Sequence, residues 1–164
     1  MIEPLRLLKL LVAAILSFVL LSEGEAWAQE REVPYWASIR ESATRLNMRV
    51  GPSLEFKIAW VYQRPGLPVK VVRLKDGWRL VEDPDGTKGW VRASLLSTNL
   101  SVYVHGEGLA DMHEDPEFAS AVRWRLEPGV VGSLVRCEDG WCRIAVGERR
   151  GWVRQDRLWG AGAA

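Results

Sequence analysis

Two short phrases, Asp-Gly-Trp and Gly-Trp-Val-Arg, each occur twice in this chain and in the same order. Pro65-Gly66, Asp76-Gly77-Trp78 and Gly89-Trp90-Val91-Arg92 return as Pro128-Gly129, Asp139-Gly140-Trp141 and Gly151-Trp152-Val153-Arg154, displaced by 63, 63 and 62 residues. Met48 and Pro52 answer more weakly to Met112 and Pro116, displaced by 64. Slips of one residue between landmarks are what loop insertions produce, and ordered landmarks at a fixed spacing mark a duplication. The chain must therefore build one small unit twice. A unit of about 60 residues buries little core and is marginal alone, so the two are expected to pack together. One merged sandwich is the rival architecture.

Each unit reads as short strands broken by turns. Strands are expected over 38–42, 45–49, 58–63, 68–74, 78–81 and 88–92 of the first unit. Asp76-Gly77 and Asp139-Gly140 are two-residue hairpin signals of the type I′ kind, which requires positive φ at both positions. Asp83-Pro84-Asp85-Gly86 marks another turn. Only 93–96 and 155–158 read as single helical turns. Val69 and Val71 alternate in one phase and Val72 and Leu74 in the other, and Leu134, Val135 and Cys137 repeat the switch. Such a switch predicts a β-bulge or a strong strand bend, either of which lets one strand serve both halves of a small barrel.

A leader precedes the repeat. Arg6 and Lys9 precede an uncharged run over residues 10–21, and Ala26-Trp27-Ala28 is a small-x-small cleavage site. The run is too short to span a bilayer and fits the core of a signal peptide. Cleavage after Ala28 would leave 136 residues, 29–164, with no stable membrane anchor, in the periplasm or outside the cell.

Export bears on the two cysteines. With a turn at Asp139-Gly140, Cys137 faces Cys142 across a non-hydrogen-bonded pair, where Cα atoms lie about 4.5 Å apart. That separation falls within disulfide geometry, and an oxidising compartment favours the bond. The first unit has Leu74 and Arg79 at these positions, so the staple belongs to the second unit alone.

Composition narrows the function classes. The whole chain carries 22 basic and 21 acidic residues, a near-balance that argues against a nucleic-acid binder. Two histidines and two cysteines are too few for a closed zinc site without carboxylates, and no metal or cofactor is expected. Wall hydrolases usually need a Cys/His pair, a metal-bound His cluster or paired carboxylates. With both thiols in a staple and the mature length used by two units, no catalytic residue is expected. Charge is uneven: residues 35–98 hold 11 basic and 6 acidic side chains, whereas 99–164 hold 8 and 10. Glu107, Asp111, Glu114, Asp115 and Glu117 form an acidic stretch that is either a solvated loop or a dock for the basic first unit.

Alternation places Val81, Val91, Ile144 and Val153 in the cores and turns the tryptophans away from them. Trp60, Trp90 and Trp152 are expected to be packed structural residues. Trp78 and Trp141 flank turns on the outward face, where an indole suits recognition.

The order Pro65-Gly66, Val69-Lys70-Val71, Asp76-Gly77-Trp78, Gly89-Trp90-Val91, with the opening Leu46-Asn47-Met48-Arg49-Val50-Gly51-Pro52-Ser53, resembles the bacterial Src-homology-3 (SH3-like) family. The resemblance implies an all-β chain: two tandem small SH3-like barrels, over 35–98 and 99–160, after the signal peptide over 1–28. It covers residues 101–160 more weakly, where the opening has decayed to Asp111-Met112-His113-Glu114-Asp115-Pro116. It places Trp78 and Trp141 where the eukaryotic family lines its proline-peptide groove. Arg92 and Arg154 stand in place of the groove proline, and Leu95 and Arg157 in place of the groove tyrosine. The expected ligand is therefore not polyproline, and the candidate binding residues are Trp78, Arg92, Trp141 and Arg154. The family implies a binding module for peptidoglycan or another envelope component. An interaction subunit holding an envelope protein is the alternative.

Overall fold

A computed structural model describes residues 31–164; the expected signal peptide, with its cleavage after Ala28, lies outside the described residues. Turn chemistry and alternation divide the chain into β1 (Tyr35–Ile39), β2 (Leu46–Arg49), β3 (Ile58–Tyr62), β4 (Pro68–Lys75), β5 (Trp78–Glu82), β6 (Lys88–Arg92) and β7 (Leu96–Ser97). The second set is β8 (Ser101–Val104), β9 (Ala110–His113), β10 (Val122–Leu126), β11 (Val131–Glu138), β12 (Trp141–Val146), β13 (Arg149–Arg154) and β14 (Leu158–Trp159). A 3₁₀ turn over Ala93–Leu95 or Gln155–Arg157 precedes the last strand of each set. The strand orders are β3-β2-β6-β5-β4-β1-β7 and β10-β9-β13-β12-β11-β8-β14. These are one topology used twice, in two separate sheets, and the merged sandwich does not occur.

Each sheet closes on its own apolar cluster. Val81 and Val91 lie in the first, Ile144 and Val153 in the second, all at most 1% exposed. The recurring glycine and methionine landmarks have one cause. A Cβ on Gly89 would sit 2.2 Å from Met48 Cγ, and one on Gly151 would sit 2.5 Å from Met112 Cγ. Each methionine, fully buried, fills the space that the bare glycine leaves on the neighbouring strand.

The phase switches are bulges. Register shifts between Val71 and Arg73 opposite β5, and between Leu134 and Arg136 opposite β12. Val72 and Val135 are the extra residues, and Val135 is turned out to solvent. The hairpin turns differ from each other. Asp139 and Gly140 both take positive φ, 48° and 77°, as a type I′ turn requires. In the first hairpin Asp76 is left-handed at φ 47° and Gly77 is not. The first strand also starts and ends earlier than the expected 38–42. A tight turn closes at once after it, with Ala43 N–H donating to Arg40 O, so Glu41 and Ser42 leave the sheet.

The two barrels pack together, as their size requires. Ser38 and Ser101, equivalent positions 63 residues apart, touch through their hydroxyls at 2.6 Å and are both buried. Equivalent residues meeting one another is the mark of a two-fold contact. Ser101 also donates to Gly66 O, and Arg64 donates to Gly129 O. Tyr103 and Val131 of the second barrel pack on the core cluster of the first. Trp36 meets Trp159 edge-on, 4.6 Å between centroids, and its indole N–H donates to Gly162 O at 3.1 Å.

Candidate binding surface

The tight β4–β5 and β11–β12 turns put a tryptophan at the start of the following strand. In both barrels this tryptophan pairs in register with the arginine that ends the next strand, Trp78 with Arg92 and Trp141 with Arg154. The four sequence candidates thus come together two by two. Arg92 lies over the Trp78 ring at 5.4 Å and Arg154 over the Trp141 ring at 5.5 Å, the geometry of cation–π contacts.

Neither indole is the open platform expected. Trp78 is 6% exposed and Trp141 4%. Both stand outside the apolar clusters, as alternation requires, but that outer face is covered. Over Trp141 the cover consists of His113 at 5.1 Å and Phe118 at 5.2 Å, both edge-on, with Arg154 also 5.3 Å from the Phe118 ring. Strand period assigns a side chain to a face; it is silent on which loop folds across that face. Here the loop between β9 and β10 does so. It is held by Glu114 N–H to Ala121 O, Asp115 N–H to Ser120 Oγ, and the His113 Nδ1 contact with Ser120 O at 3.1 Å. Trp152 is likewise buried, with Arg136 5.1 Å above its ring, and Trp90 is half-buried.

Trp60 departs furthest from its expected packed role, at 59% exposed. β3 is the end strand of its sheet. The exposed large apolar side chains repeat with the fold. Leu54, Ile58 and Trp60 of the β2–β3 hairpin correspond to Phe118, Val122 and Trp124 of the β9–β10 hairpin, each 64 residues on, and all six are exposed. Val50 and Phe56, between β2 and β3 of the first barrel, are exposed as well. The Arg49 guanidinium donates to Leu54 O at 3.0 Å and to Phe56 O at 2.6 Å, which fixes the loop and places a positive charge in it. No sequence periodicity separates this triplet from core residues; it emerged only from exposure compared across the repeat.

The acidic stretch does not dock on the first barrel through its ion pairs. Asp111 pairs with Arg125 at 3.1 Å and Glu114 with Arg123 at 2.6 Å, both on adjacent β10. The disulfide joins Cys137 and Cys142 across paired positions, with Cα atoms 4.0 Å apart, closer than the spacing expected. A cleft of about 610 Å³ between the barrels is lined by Ser38, Arg40, Glu41, Ser97, Asn99 and Ser133, among others. Its arginine is already committed to Ser94 O and Leu96 O. Among the described residues no group of three His, Cys, Asp or Glu side chains converges to hold a metal.

Residues 42–98 and 107–160 each match the bacterial SH3 domain. The chain belongs to that family. Its two bacterial SH3 domains resemble in outline two Trichomonas vaginalis proteins, NlpC2 and NlpC1, at 14% and 12% identity and TM-scores of 0.35 and 0.36. The matches cover 79% and 80% of this chain and 49% and 47% of those. An NlpC/P60 family protein from Bacillus cereus is 13% identical over 75% of this chain and 55% of its own, at a TM-score of 0.32. The chain spans about half the length of these solved structures. No curated protein matches it.

Proposed function

We propose that this chain is a non-catalytic binding module of the cell envelope, exported by the leader that ends at Ala28, and that it holds peptidoglycan or another envelope component. The observation that carries this reading is the doubled apolar triplet. Exposed Leu54, Ile58 and Trp60, and their counterparts Phe118, Val122 and Trp124, occupy the same hairpin in both bacterial SH3 domains. Exposed apolar groups gathered on one element mark contact surfaces, whereas isolated ones do not. The Trp78/Arg92 and Trp141/Arg154 pairs form the floor of these surfaces in this reading. In the second barrel Phe118 rests directly on Trp141. The net positive charge of the first barrel suits an anionic wall. A second reading, an accessory subunit holding an envelope protein, draws on β3 and β10. Both are end strands with one unpaired edge, and such edges accept a partner strand.

The test is co-sedimentation of the protein, residues 29–164, with protein-free peptidoglycan, at low and raised salt. Trp60→Ala is expected to lower retention at least fivefold with little change in melting temperature, because the ring is exposed. Undiminished retention in Trp60→Ala combined with Trp124→Ala would remove the hairpin surface from the reading. Absence of sedimentation by the unaltered protein would transfer it to a protein partner, sought by crosslinking in the periplasm.

A further inference from the structure

Trp60 and Trp124 are equivalent, yet their surroundings differ. The Arg149 guanidinium lies 4.2 Å from the Trp124 ring centre. The first barrel has Thr87 and Lys88 where the second has Arg149 and Arg150, counting back 62 residues from the Gly151 landmark. Among the described residues no guanidinium lies over the Trp60 ring. Beside Trp124 lies a cleft of about 610 Å³ lined by Trp124, Val146, Gly147, Glu148, Arg149 and Arg150.

Among the described residues three of the second barrel's eight arginines, Arg143, Arg149 and Arg150, have no ion pair or side-chain hydrogen bond, and of these only Arg149 and Arg150 line the cleft. Arg123, Arg125, Arg136 and Arg154 are each tied to a carboxylate, and Arg157 is tied to the carbonyls of His105, Glu107, Gly108 and Leu109. Arg149 and Arg150 are exposed. Glu148, the acid on the cleft rim, pairs with neither. A guanidinium stacked on a ring keeps its in-plane donors free and its orientation fixed, which suits a carboxylate or phosphate. A partly open indole beside it suits the apolar face of a sugar ring.

We propose that the Trp124–Arg149–Arg150 cleft is a site for an anionic saccharide, with the Arg149 guanidinium on the oxyanion, the Arg150 charge at the rim and the indole against the ring. The proposal deepens the binding-module reading and rests on it to the extent that Trp124 belongs to both. It assigns the second barrel a ligand chemistry that the first, with Trp60 uncapped, does not share.

The test is calorimetric titration of the protein, residues 29–164, with tetragalacturonate, and with maltotetraose as the neutral ring control. Saturable binding of the anionic oligomer is expected, at least tenfold weaker in Arg149→Ala and in Trp124→Ala, with no heat from maltotetraose. Arg143→Ala removes an equal charge from an exposed position of the same barrel outside the cleft, and is expected to leave the affinity unchanged. Equal weakening by Arg143→Ala, equal binding of maltotetraose, or no saturable binding at all would each overturn the proposal. Peptidoglycan retention without tetragalacturonate binding would sink this site and leave the broader reading standing. Tetragalacturonate binding without peptidoglycan retention would keep this site and remove peptidoglycan from the broader reading.

Discussion

The β5–β6 connection of the first barrel is five residues long, 83–87, and the matching β12–β13 connection of the second is two, Gly147 and Glu148. The long turn is organised by one buried side chain. Asp83 Oδ1 accepts the N–H groups of Asp85 and Thr87 at 3.0 and 2.8 Å, and Oδ2 accepts the Tyr62 hydroxyl. The second barrel has buried Leu126 at the position of Tyr62, and its turn needs no such organiser. It carries its cross-link elsewhere, in the Cys137–Cys142 disulfide, where the first barrel pairs Leu74 with Arg79. One topology is therefore secured by a polar network in one copy and a covalent staple in the other. What both copies keep is the apolar interior, the bulge and the glycine that admits a methionine.

The glycine gives the sharpest way to break the comparison. At Gly89 the obstacle to a Cβ is the flexible Met48 side chain, and the nearest backbone atom is Arg49 O at 3.1 Å. At Gly151 the His113 carbonyl oxygen stands at 2.7 Å, and backbone cannot step aside. Gly151→Ala is expected to destabilise by about 3 kcal/mol and Gly89→Ala by about 1 kcal/mol, within the range for overpacking. Urea unfolding of the two variants measures this; equal losses would mean that β9 yields as readily as the methionine.

These glycines also show how far the sequence could be read. Repeat spacing, alternation and the Asp-Gly turns report backbone geometry, and they placed the bulges at Val72 and Val135 and the core at Val81, Val91, Ile144 and Val153. Loops crossing a sheet face leave no such period. The burial of Trp78 and Trp141 was illegible for that reason, since the cover on Trp141 comes from His113 and Phe118, far away in sequence. The exposure of Trp60 was illegible because alternation does not say which strand faces are left open by the rest of the barrel. The cysteine pair was legible because a two-residue turn fixes register locally.

The staple offers the next test. Replacing both Cys137 and Cys142 with serine is expected to cost about 2 kcal/mol, the value for so short a loop. The loss should concentrate in the second barrel. Hydrogen exchange should quicken for β11 and β12 amides more than for β4 and β5, which carry no cross-link. Equal quickening in both hairpins would show that the barrels open as one cooperative unit.

The smallest effect belongs to the network that takes the place of the staple. Burial raises the Tyr62 hydroxyl above its ordinary pKa, and the hydrogen bond to Asp83 and the charges of Asp83 and Asp85 raise it further. In the unfolded chain the same group ionises near about 10. As pH climbs past that value the unfolded state loses its proton while the folded state keeps it, so stability falls with rising pH and is undiminished below. Tyr62→Phe removes one donor from Asp83 and is expected to cost about 1 kcal/mol at neutral pH. It should also abolish this group's share of the alkaline decline, so the gap between the two proteins narrows above pH about 10. A gap that stays constant to high pH would mean that the Tyr62 hydroxyl is free to ionise in the folded protein. Asp83 would then hold its turn through Asp85 and Thr87 alone, and the polar network would be no counterpart to the disulfide of the other barrel.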